Sequence, residues 1–419
     1  MLIALNKTLT LKTTNNSNGI LLLYRHPLKA NAPALKTHIE SFSKYSKHDI
    51  WSINTKLGFP ASIDRIEFSA VILHYSVFPI AIDEKFQDFL HYLKLRASLP
   101  KIAFFQDEHA LCKERFKFIN DVGVDVIYTL LEHSEHSKVY LANTDCKIIK
   151  HTLTGYVDDS LINAGRKLSL PDNKRTIDIG YRARELPYYM GKGGLEKTMI
   201  AKEFLRHSRP TSLITNIETG EKSRFNGDSW YRFIAKCKAM LGVEAGVSIF
   251  DIDGNAHKEC DKYLLENPKA SFNEVHNAVL TDYEDKIYYR TLSPRIFECA
   301  ALRTCMILFE GRYNDILKPM IHYIPLKKDF SNFQDVINIF SDAKERMRLS
   351  NNAYKDLIAS DKYSYKNFIR DFDKQLEKMN ITPQTNKAKL KQISAMLKRD
   401  EMALKFKIKK NRILKNFSR

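Results

Sequence analysis

Short apolar runs alternate along the chain with longer segments in which apolar residues recur every three or four positions. A short run is typical of a buried strand, and the longer recurrence is typical of a helix with one buried face. In the first third of the chain the runs predict strands at 20–24, 70–75, 101–105 and 125–129. The segments between them predict helices at 34–45, 84–95 and 110–120. Strands that alternate with helices predict a parallel, open α/β sheet.

A second alternating series follows a polar, irregular stretch at 155–173, which we interpret as a domain boundary. Its predicted strands are 176–180, 211–216, 246–250 and 306–309. Its predicted helices are 195–207, 229–241, 256–266, 272–280, 294–302, 333–341 and 363–379. Two α/β halves of similar size leave a cleft between them, where ligands commonly bind. The predicted domains are 1–160 and 174–360, followed by a helix in 361–380 that packs back on the body.

The positive charge is concentrated at the end of the chain. Of the net charge of +18, +10 falls in residues 387–419, which hold 12 basic and two acidic residues, and +8 falls in the first 386. One helical stripe of this tail is apolar, made of Leu390, Ile393, Leu397, Leu404 and Ile408. A basic amphipathic helix favours an anionic membrane surface. Nucleic acid is disfavoured because the tail has only Phe406 and Phe417 for stacking; a partner-binding helix and a disordered end are the other interpretations.

The sequence predicts a cytoplasmic protein. No apolar run approaches the roughly 18–20 residues of a membrane span, and the run at 20–24 is too short for a signal peptide. The six cysteines are scattered and contain no Cys-x-x-Cys pair, so we expect reduced thiols, no metal site and no cofactor. With the basic tail, the protein is expected at the inner face of the membrane as a peripheral protein.

The first candidate site lies where a predicted strand ends at 179–187 and a helix begins near Leu195. Its basic residues are Arg182, Arg184, Lys192 and Lys197. Arginine and lysine donate charge-assisted hydrogen bonds to phosphate, and glycines at a helix start let backbone N–H groups approach an anion. The segment therefore predicts a diphosphate site, and the alternative is a solvated basic strand end.

The second candidate site is the start of the helix at 294–302. Ser293 is a capping residue, and Pro294 suits the first helical position. Arg295 lies in the first turn, where the helix dipole disfavours a cation unless an anion binds there. Glu298 follows three residues later on the same face. The alternative is an Arg–Glu pair on the surface of a packed helix.

The residues 293–301, Ser-Pro-Arg-Ile-Phe-Glu-Cys-Ala-Ala, followed by the apolar 306–309, resemble the donor-sugar motif of nucleotide-sugar glycosyltransferases with the GT-B architecture. The resemblance is to the branch found in bacterial surface-polysaccharide gene clusters. In that family the glutamate, here Glu298, contacts hydroxyls of the donor ribose or sugar. The segments 154–157 and 242–250 resemble the family's hinge and part of its second domain. Two positions depart from the family: Arg290, where many relatives carry an acid, and Arg303, where many carry glycine.

The resemblance implies two Rossmann-like domains facing a cleft. It implies a hexosyltransferase, or a related transferase, that moves a sugar from a nucleotide-diphosphate sugar to a glycan or lipid-linked acceptor. The process that it implies is surface polysaccharide biosynthesis. The donor-binding residues would be Arg182, Arg184, Lys192, Lys197, Ser293, Arg295 and Glu298.

Two further motifs could carry chemistry. Asp107 and His109 follow a predicted strand, where either side chain could accept a proton from the acceptor hydroxyl if the enzyme inverts stereochemistry. The alternative is that Asp107 or Glu108 caps the next helix. Asp251 and Asp253 resemble the nucleophile and acid/base of haloacid-dehalogenase-type phosphatases, but Asn255 departs from that motif. A third function class is a noncatalytic protein that binds membranes or nucleic acid through its basic charge.

Overall fold

The computed structural model describes residues 18–26, 33–78, 84–220, 223, 225, 227–383 and 387–417. Residues outside these ranges include the start of the predicted first domain and the last two residues of the tail. The structure also does not describe two side chains: that of Phe86, in the helix predicted at 84–95, and that of Phe417 in the tail.

The first domain contains a six-stranded parallel sheet with strand order β2-β1-β3-β4-β5-β6. Its strands are β1 (Ile20–Tyr24), β2 (Ile50–Asn54), β3 (Ala70–Leu73), β4 (Lys101–Phe104), β5 (Val126–Thr129) and β6 (Ile148–His151). Its helices are α1 (Pro33–Tyr45), α2 (Glu84–Leu95) and α3 (Cys112–Val122). The predicted central strands are present because their apolar runs are buried on both faces of the sheet. The edge strands β2 and β6 were missed, since each is partly exposed and lacks a continuous buried run.

The second domain contains a five-stranded parallel sheet with strand order β13-β12-β9-β7-β8. Its strands are β7 (Ile177–Arg182), β8 (Thr215–Glu218), β9 (Cys237–Gly242), β12 (Cys305–Phe309) and β13 (Ile324–Leu326). The predicted helix at 229–241 is wrong in its second half, because the chain becomes the central strand β9 at Cys237. Apolar residues recur at three- or four-residue intervals across the boundary, at Trp230, Phe233, Ile234, Cys237 and Leu241, and this spacing imitates a helix. In the sheet, Lys238 Nζ donates to Asp178 Oδ1 at 2.8 Å.

A two-stranded antiparallel sheet joins the domains; we call it the hairpin, although residues 250–283 lie between its strands. Its strands are β10 (Ala245–Ile249) and β11 (Glu284–Thr291), and Val247 pairs with Tyr289. The predicted strand at 246–250 therefore lies outside the parallel sheet in which we placed it, and β11 was missed. Four hairpin residues pack into the hydrophobic core of the first domain: Val247, Phe250, Ile287 and Tyr289. The hairpin thus belongs to the second half of the sequence and to the core of the first domain.

Helices cover both faces of the second sheet and connect the halves. They are α4 (Asp159–Leu168), α5 (Gly191–Ser208), α6 (Asp228–Lys236), α7 (Asn255–Glu266), α8 (Phe272–Val275), α9 (Pro294–Ala301), α10 (Phe333–Ser341), α11 (Ala343–Tyr354) and α12 (Tyr365–Lys378). The stretch 155–173, predicted to be irregular, is mostly the helix α4, and Asp158 caps it by accepting from the Leu161 N–H at 2.7 Å. Helix α12 returns to the first domain, where Asp373 accepts from Ser46 Oγ at 2.7 Å.

The last helix, α13 (Lys387–Phe417), lies on the first domain. Ile393 is buried, and Leu397 packs against the same core. Asp400 Oδ2 accepts a hydrogen bond from the Ser62 N–H at 2.7 Å. The apolar stripe that we predicted to meet lipid therefore faces protein. Within the described ranges, no helix combines the length and the apolar character that crossing a bilayer requires.

Candidate active site

A cavity of about 240 Å³ opens where strands β7 and β9 of the second domain end. Its polar lining includes Arg184, Lys197, Glu244, Ser293 and Arg295. The carboxyl ends of parallel strands are the usual ligand site of open α/β sheets, because adjacent loops diverge there. The structure thus brings four of the predicted donor-binding residues together in one cavity, together with Glu244, which was not predicted.

Aromatic rings hold the Arg295 guanidinium in place. Its central carbon lies 5.4 Å from the ring centre of Tyr181 and 5.2 Å from that of Trp230. Ser293 caps α9, since its Oγ accepts from the Arg295 N–H at 3.4 Å. A cation is therefore fixed beside the positive end of a helix dipole, an arrangement that an anion would stabilise.

Glu298 lies one turn further along α9. Its Oε2 accepts a hydrogen bond from Trp230 Nε1 at 2.7 Å. Burial raises the pKa of this carboxyl, while the Trp230 hydrogen bond and the charge of Arg295 oppose the increase. Glu298 is thus held in a fixed orientation. Sequence reasoning missed Trp230, because nothing in the pattern of α6 distinguishes a tryptophan at the site from one in the core.

Lys197 lies on α5 and lines the cavity beside the hairpin. Its Nζ donates to the Gly246 carbonyl oxygen at 3.3 Å. Burial lowers the pKa of Lys197 to about 8, and the charge of Asp107 opposes this decrease. Asp107 of the first domain is therefore near enough for its charge to act on Lys197.

Asp107 and His109 occupy different environments. Asp107 is exposed and has a φ of +51°. Leu111 is at the cap position before α3, and no side chain caps this helix, so the helix-capping interpretation of Asp107 is wrong. His109 is buried, and its carbonyl oxygen accepts from the Asp251 N–H at 3.0 Å. Burial lowers the pKa of His109 to about 4, so the ring is neutral at pH 7. Of the two, only Asp107 is presented to solvent.

Between them lies Glu108, the other residue predicted as a possible helix cap, and it does not cap α3 either. Its carboxylate accepts from Thr129 Oγ1 at 2.6 Å, from the Leu130 N–H at 2.8 Å and from the Tyr140 hydroxyl. The Glu108 N–H donates to the Tyr289 hydroxyl oxygen of the hairpin at 3.1 Å. Burial raises the pKa of Glu108. This residue joins the domains and does not face the cleft.

Arg182 and Lys192 do not reach the cavity, contrary to prediction. The buried Arg182 guanidinium donates to the carbonyl oxygens of Tyr181 and Asn216 at 2.7 and 2.8 Å and to Asn216 Oδ1 at 2.6 Å. Side chains alternate along a strand, so Tyr181 points toward α5 while Arg182 points away from it. Lys192 is exposed, and its N–H donates to the Glu284 carboxylate at 3.2 Å.

The two departures from the glycosyltransferase motif have structural explanations. Arg290 is buried and donates twice to the Glu196 carboxylate, at 3.0 and 2.9 Å, and Lys328 Nζ donates to the same carboxylate at 2.7 Å. The positive charge of Arg290, at a position where many relatives carry an acid, is therefore neutralised by Glu196 on α5. Arg303 has a φ of +50°, the left-handed conformation that favours glycine, so the backbone keeps the shape that a glycine would adopt.

The two aspartates of the phosphatase-like motif have other partners. The Asp251 carboxylate accepts from the Ala256 and His257 N–H groups, at 3.3 and 3.0 Å, at the start of α7. Asp253 forms an ion pair with Lys113 of the first domain at 3.1 Å. Across the part of the chain that the structure describes, no group of three or more His, Cys, Asp or Glu could hold a metal ion. These contacts do not build a phosphatase centre.

No protein-family model and no curated protein matches the chain. Among solved structures, an alpha-glucosyltransferase in complex with UDP-glucose and DNA containing an abasic site is 11% identical with a TM-score of 0.52, covering 86% of this chain and 98% of its own. HepE of Anabaena in complex with UDP is 10% identical with a TM-score of 0.45, covering 86% and 99%. A sucrose-phosphate synthase from Thermosynechococcus elongatus is 9% identical with a TM-score of 0.49, covering 86% and 98%.

At such low identity the likeness to the alpha-glucosyltransferase shows a shared fold. Together with the two parallel sheets, it confirms the predicted fold class, two Rossmann-like domains facing a cleft in the GT-B architecture.

Proposed function

We propose that the protein is a glycosyltransferase that moves a sugar from a nucleotide-diphosphate donor to a glycan or lipid-linked acceptor. The observation that carries the proposal is that Arg295 lines a cavity at the carboxyl ends of the second sheet, while Glu298 lies one turn further along the same helix. An anion-binding end and a buried carboxylate one turn apart suit a ligand that joins a diphosphate to a sugar.

The leaving diphosphate gains negative charge as the glycosidic bond breaks. Arg295, Arg184 and Lys197 line the cavity and would stabilise that charge, together with the N-terminus of α9. Glu298, held by Trp230, would accept hydrogen bonds from donor hydroxyls and orient the sugar. Because the rings of Tyr181 and Trp230 already hold Arg295, little reorganisation is needed when the donor binds.

The acceptor would enter from the first domain. Asp107 is exposed and its charge acts on Lys197, so it is the better candidate to accept the acceptor proton if stereochemistry is inverted. His109 is neutral but buried against the hairpin, so it would accept that proton only if the cleft rearranged to expose its ring. A retaining reaction would need neither side chain as a base.

We further propose a role in surface polysaccharide biosynthesis on the cytoplasmic side of the membrane. Support comes from the motif of α9 and from the basic helix α13, which would keep the enzyme near a lipid-linked acceptor.

A panel of nucleoside diphosphates and nucleotide sugars, screened by thermal shift, tests the proposal. We expect one nucleoside diphosphate to raise the melting temperature of the wild type, and Arg295→Ala to abolish that shift. Glu298→Gln should retain the nucleoside diphosphate but lower transfer by about 10²–10³. Glu310→Gln, at an exposed glutamate of the same domain, is the matched control. Unchanged binding and transfer in both site variants would contradict the proposal.

A further inference from the structure

Helix α13 has a second, outward face that the docked helix leaves exposed. Met402 and Phe406 lie four residues apart, and their side chains are 65% and 71% exposed. On a helix they are about 40° apart, so they form one apolar ridge. This ridge is on the side opposite Ile393 and Leu397, which pack on the first domain.

Basic side chains border the ridge on both sides. Successive residues of a helix are turned by 100°, which places Lys398 and Lys405 on one side of the ridge and Arg399 and Lys410 on the other. Lys409 continues the ridge itself, three residues after Phe406. All five are exposed. The two acids of the helix each lie near one of these basic residues: Glu401 pairs with Lys405 at 2.7 Å, and Asp400, which accepts from the Ser62 N–H at 2.7 Å, lies 3.8 Å from Arg399. Five basic residues against two acids leave a net positive charge. The outward face is therefore apolar at its centre and positive at its margins.

We infer that this outward face, defined by Lys398, Arg399, Met402, Lys405, Phe406, Lys409 and Lys410, binds the surface of an anionic lipid bilayer. Phe406 and Met402 would enter the region between headgroups and acyl chains, while the long basic side chains reach the lipid phosphates. The inference deepens the proposed function and rests on it for its biological purpose, because a lipid-linked acceptor is confined to a membrane.

Other occupants fit the face less well. A nucleic acid duplex presents phosphates but no hydrocarbon, so it would leave the Met402–Phe406 ridge in water. A second copy of the chain would bring five basic residues against five others, which is repulsive. A bilayer with anionic lipids satisfies both the charge and the apolar ridge.

The docked helix also gives the membrane a defined position. The inward face packs on the first domain beside β2, so the bilayer would lie against the domain proposed to receive the acceptor. The donor cavity belongs to the second domain and would stay open to the aqueous phase. This arrangement differs from the one predicted from sequence, in which the opposite stripe of the same helix meets lipid.

The test is flotation of the full-length protein with vesicles of phosphatidylcholine alone or mixed with phosphatidylglycerol. We expect the wild type to float with the anionic vesicles, to lose binding as salt is raised, and to ignore the neutral ones. Met402→Ser with Phe406→Ser should reduce the bound fraction about tenfold or more. Lys405→Gln with Lys409→Gln should reduce it and weaken its salt dependence.

The matched control is on α7, where Leu265 is 82% exposed and Lys258 and Lys262 are exposed. Leu265→Ser, Lys258→Gln and Lys262→Gln should leave flotation unchanged. Circular dichroism and the melting temperature confirm that each variant is folded. No wild-type flotation with anionic vesicles would overturn the inference, as would equal flotation of the Met402/Phe406 variant.

A parallel binding assay with a DNA duplex tests nucleic acid, the competing partner. Tight binding of a DNA duplex that persists in the Met402/Phe406 variant, without vesicle binding, would also overturn the inference. Flotation does not depend on catalysis. A wild type that floats but binds no nucleoside diphosphate would support the membrane face and contradict the proposed function, so the two failures are distinguishable.

Discussion

The indole N–H of Trp230 donates a 2.7 Å hydrogen bond to Oε2 of Glu298, and the Trp230 ring also lies 5.2 Å from the Arg295 guanidinium. One side chain thus positions both the proposed sugar-orienting carboxylate and a proposed phosphate-binding cation. Because a buried carboxylate that loses a hydrogen bond is costly, this contact should matter for catalysis as well as for folding.

We predict that Trp230→Phe lowers kcat/KM for the donor about tenfold or more, since the ring remains but the hydrogen bond to Glu298 is lost. Steady-state kinetics with the donor found by thermal shift measures the effect. Trp51→Phe is the control, because the Trp51 indole donates to the Asn18 carbonyl oxygen at 2.7 Å in the first domain. The control should lose stability but keep its kcat/KM, and an equal loss in both variants would refute a specific role for Trp230.

The affinity for the nucleoside diphosphate should depend on pH through Lys197. Its pKa is about 8, so the ammonium is present below pH 8 and is lost as the pH rises above it. We therefore expect the dissociation constant to increase from pH 7 to pH 9.5 in isothermal titration calorimetry. Lys197→Arg should remove that increase, because arginine stays charged.

Lys192→Arg is the matched control for this pH dependence, since Lys192 is exposed and does not line the cavity. The control should follow the wild-type curve. A wild-type dissociation constant that does not change across this pH range would speak against Lys197 as a phosphate contact.

Two buried histidines should make the first domain sensitive to acid. His38 Nδ1 and His74 Nε2 are 3.0 Å apart. Burial lowers the pKa of His38 to about 3 and also lowers that of His74. The unfolded chain takes up these protons near pH 6.5, so the stability is present above about pH 6.5 and falls as the pH decreases toward 3.

Urea unfolding at pH 7 and pH 5 checks this expectation. Each histidine should contribute a decrease of about 1.4 kcal/mol per pH unit, and His38→Leu should roughly halve their combined effect. His91→Leu, at an exposed histidine, should leave the slope unchanged. If His38→Leu keeps the wild-type slope, the acid sensitivity has another source.

The hairpin between the domains should tolerate no side chain at Gly246. Its φ is +88°, and a Cβ there would lie 2.1 Å from the Tyr289 carbonyl oxygen. We predict that Gly246→Ala destabilises the protein by several-fold more than Gly254→Ala. Gly254 also has a positive φ, of +73°, but open space around it. The free energy of unfolding measures both, and similar losses would show that strain in φ alone accounts for the effect.

Sequence reasoning reached the layered fold because the buried strands are continuous apolar runs and the helices have clear periodicity. It failed at β9, where the apolar residues Phe233, Cys237 and Leu241 follow one another at the four-residue spacing of a helix. The neighbouring strands β7 and β12 decide that Cys237–Gly242 is a strand, since the paired backbone groups lie far away in sequence. The edge strand β2 was missed for a related reason, because every residue of it except Ile53 is at least partly exposed.

At the site, the sequence located the right segments but not all of the right side chains. Arg184 and Arg295 line the cavity, whereas Arg182, only two positions from Arg184, is held by Asn216. Trp230 reaches Glu298 from a helix 68 residues earlier, so no local pattern reveals it.

By itself the sequence determined the two-domain α/β fold, the anion-favouring start of α9 and the basic character of the tail, because these follow from local periodicity and composition. The tertiary structure decided which arginine faces the cavity, which face of α13 remains outside, and that the hairpin of the second half completes the core of the first domain. Those outcomes depend on contacts between segments that are distant in the sequence. Such contacts form because folding buries apolar surfaces of different segments against one another, and a local sequence pattern does not specify the partner.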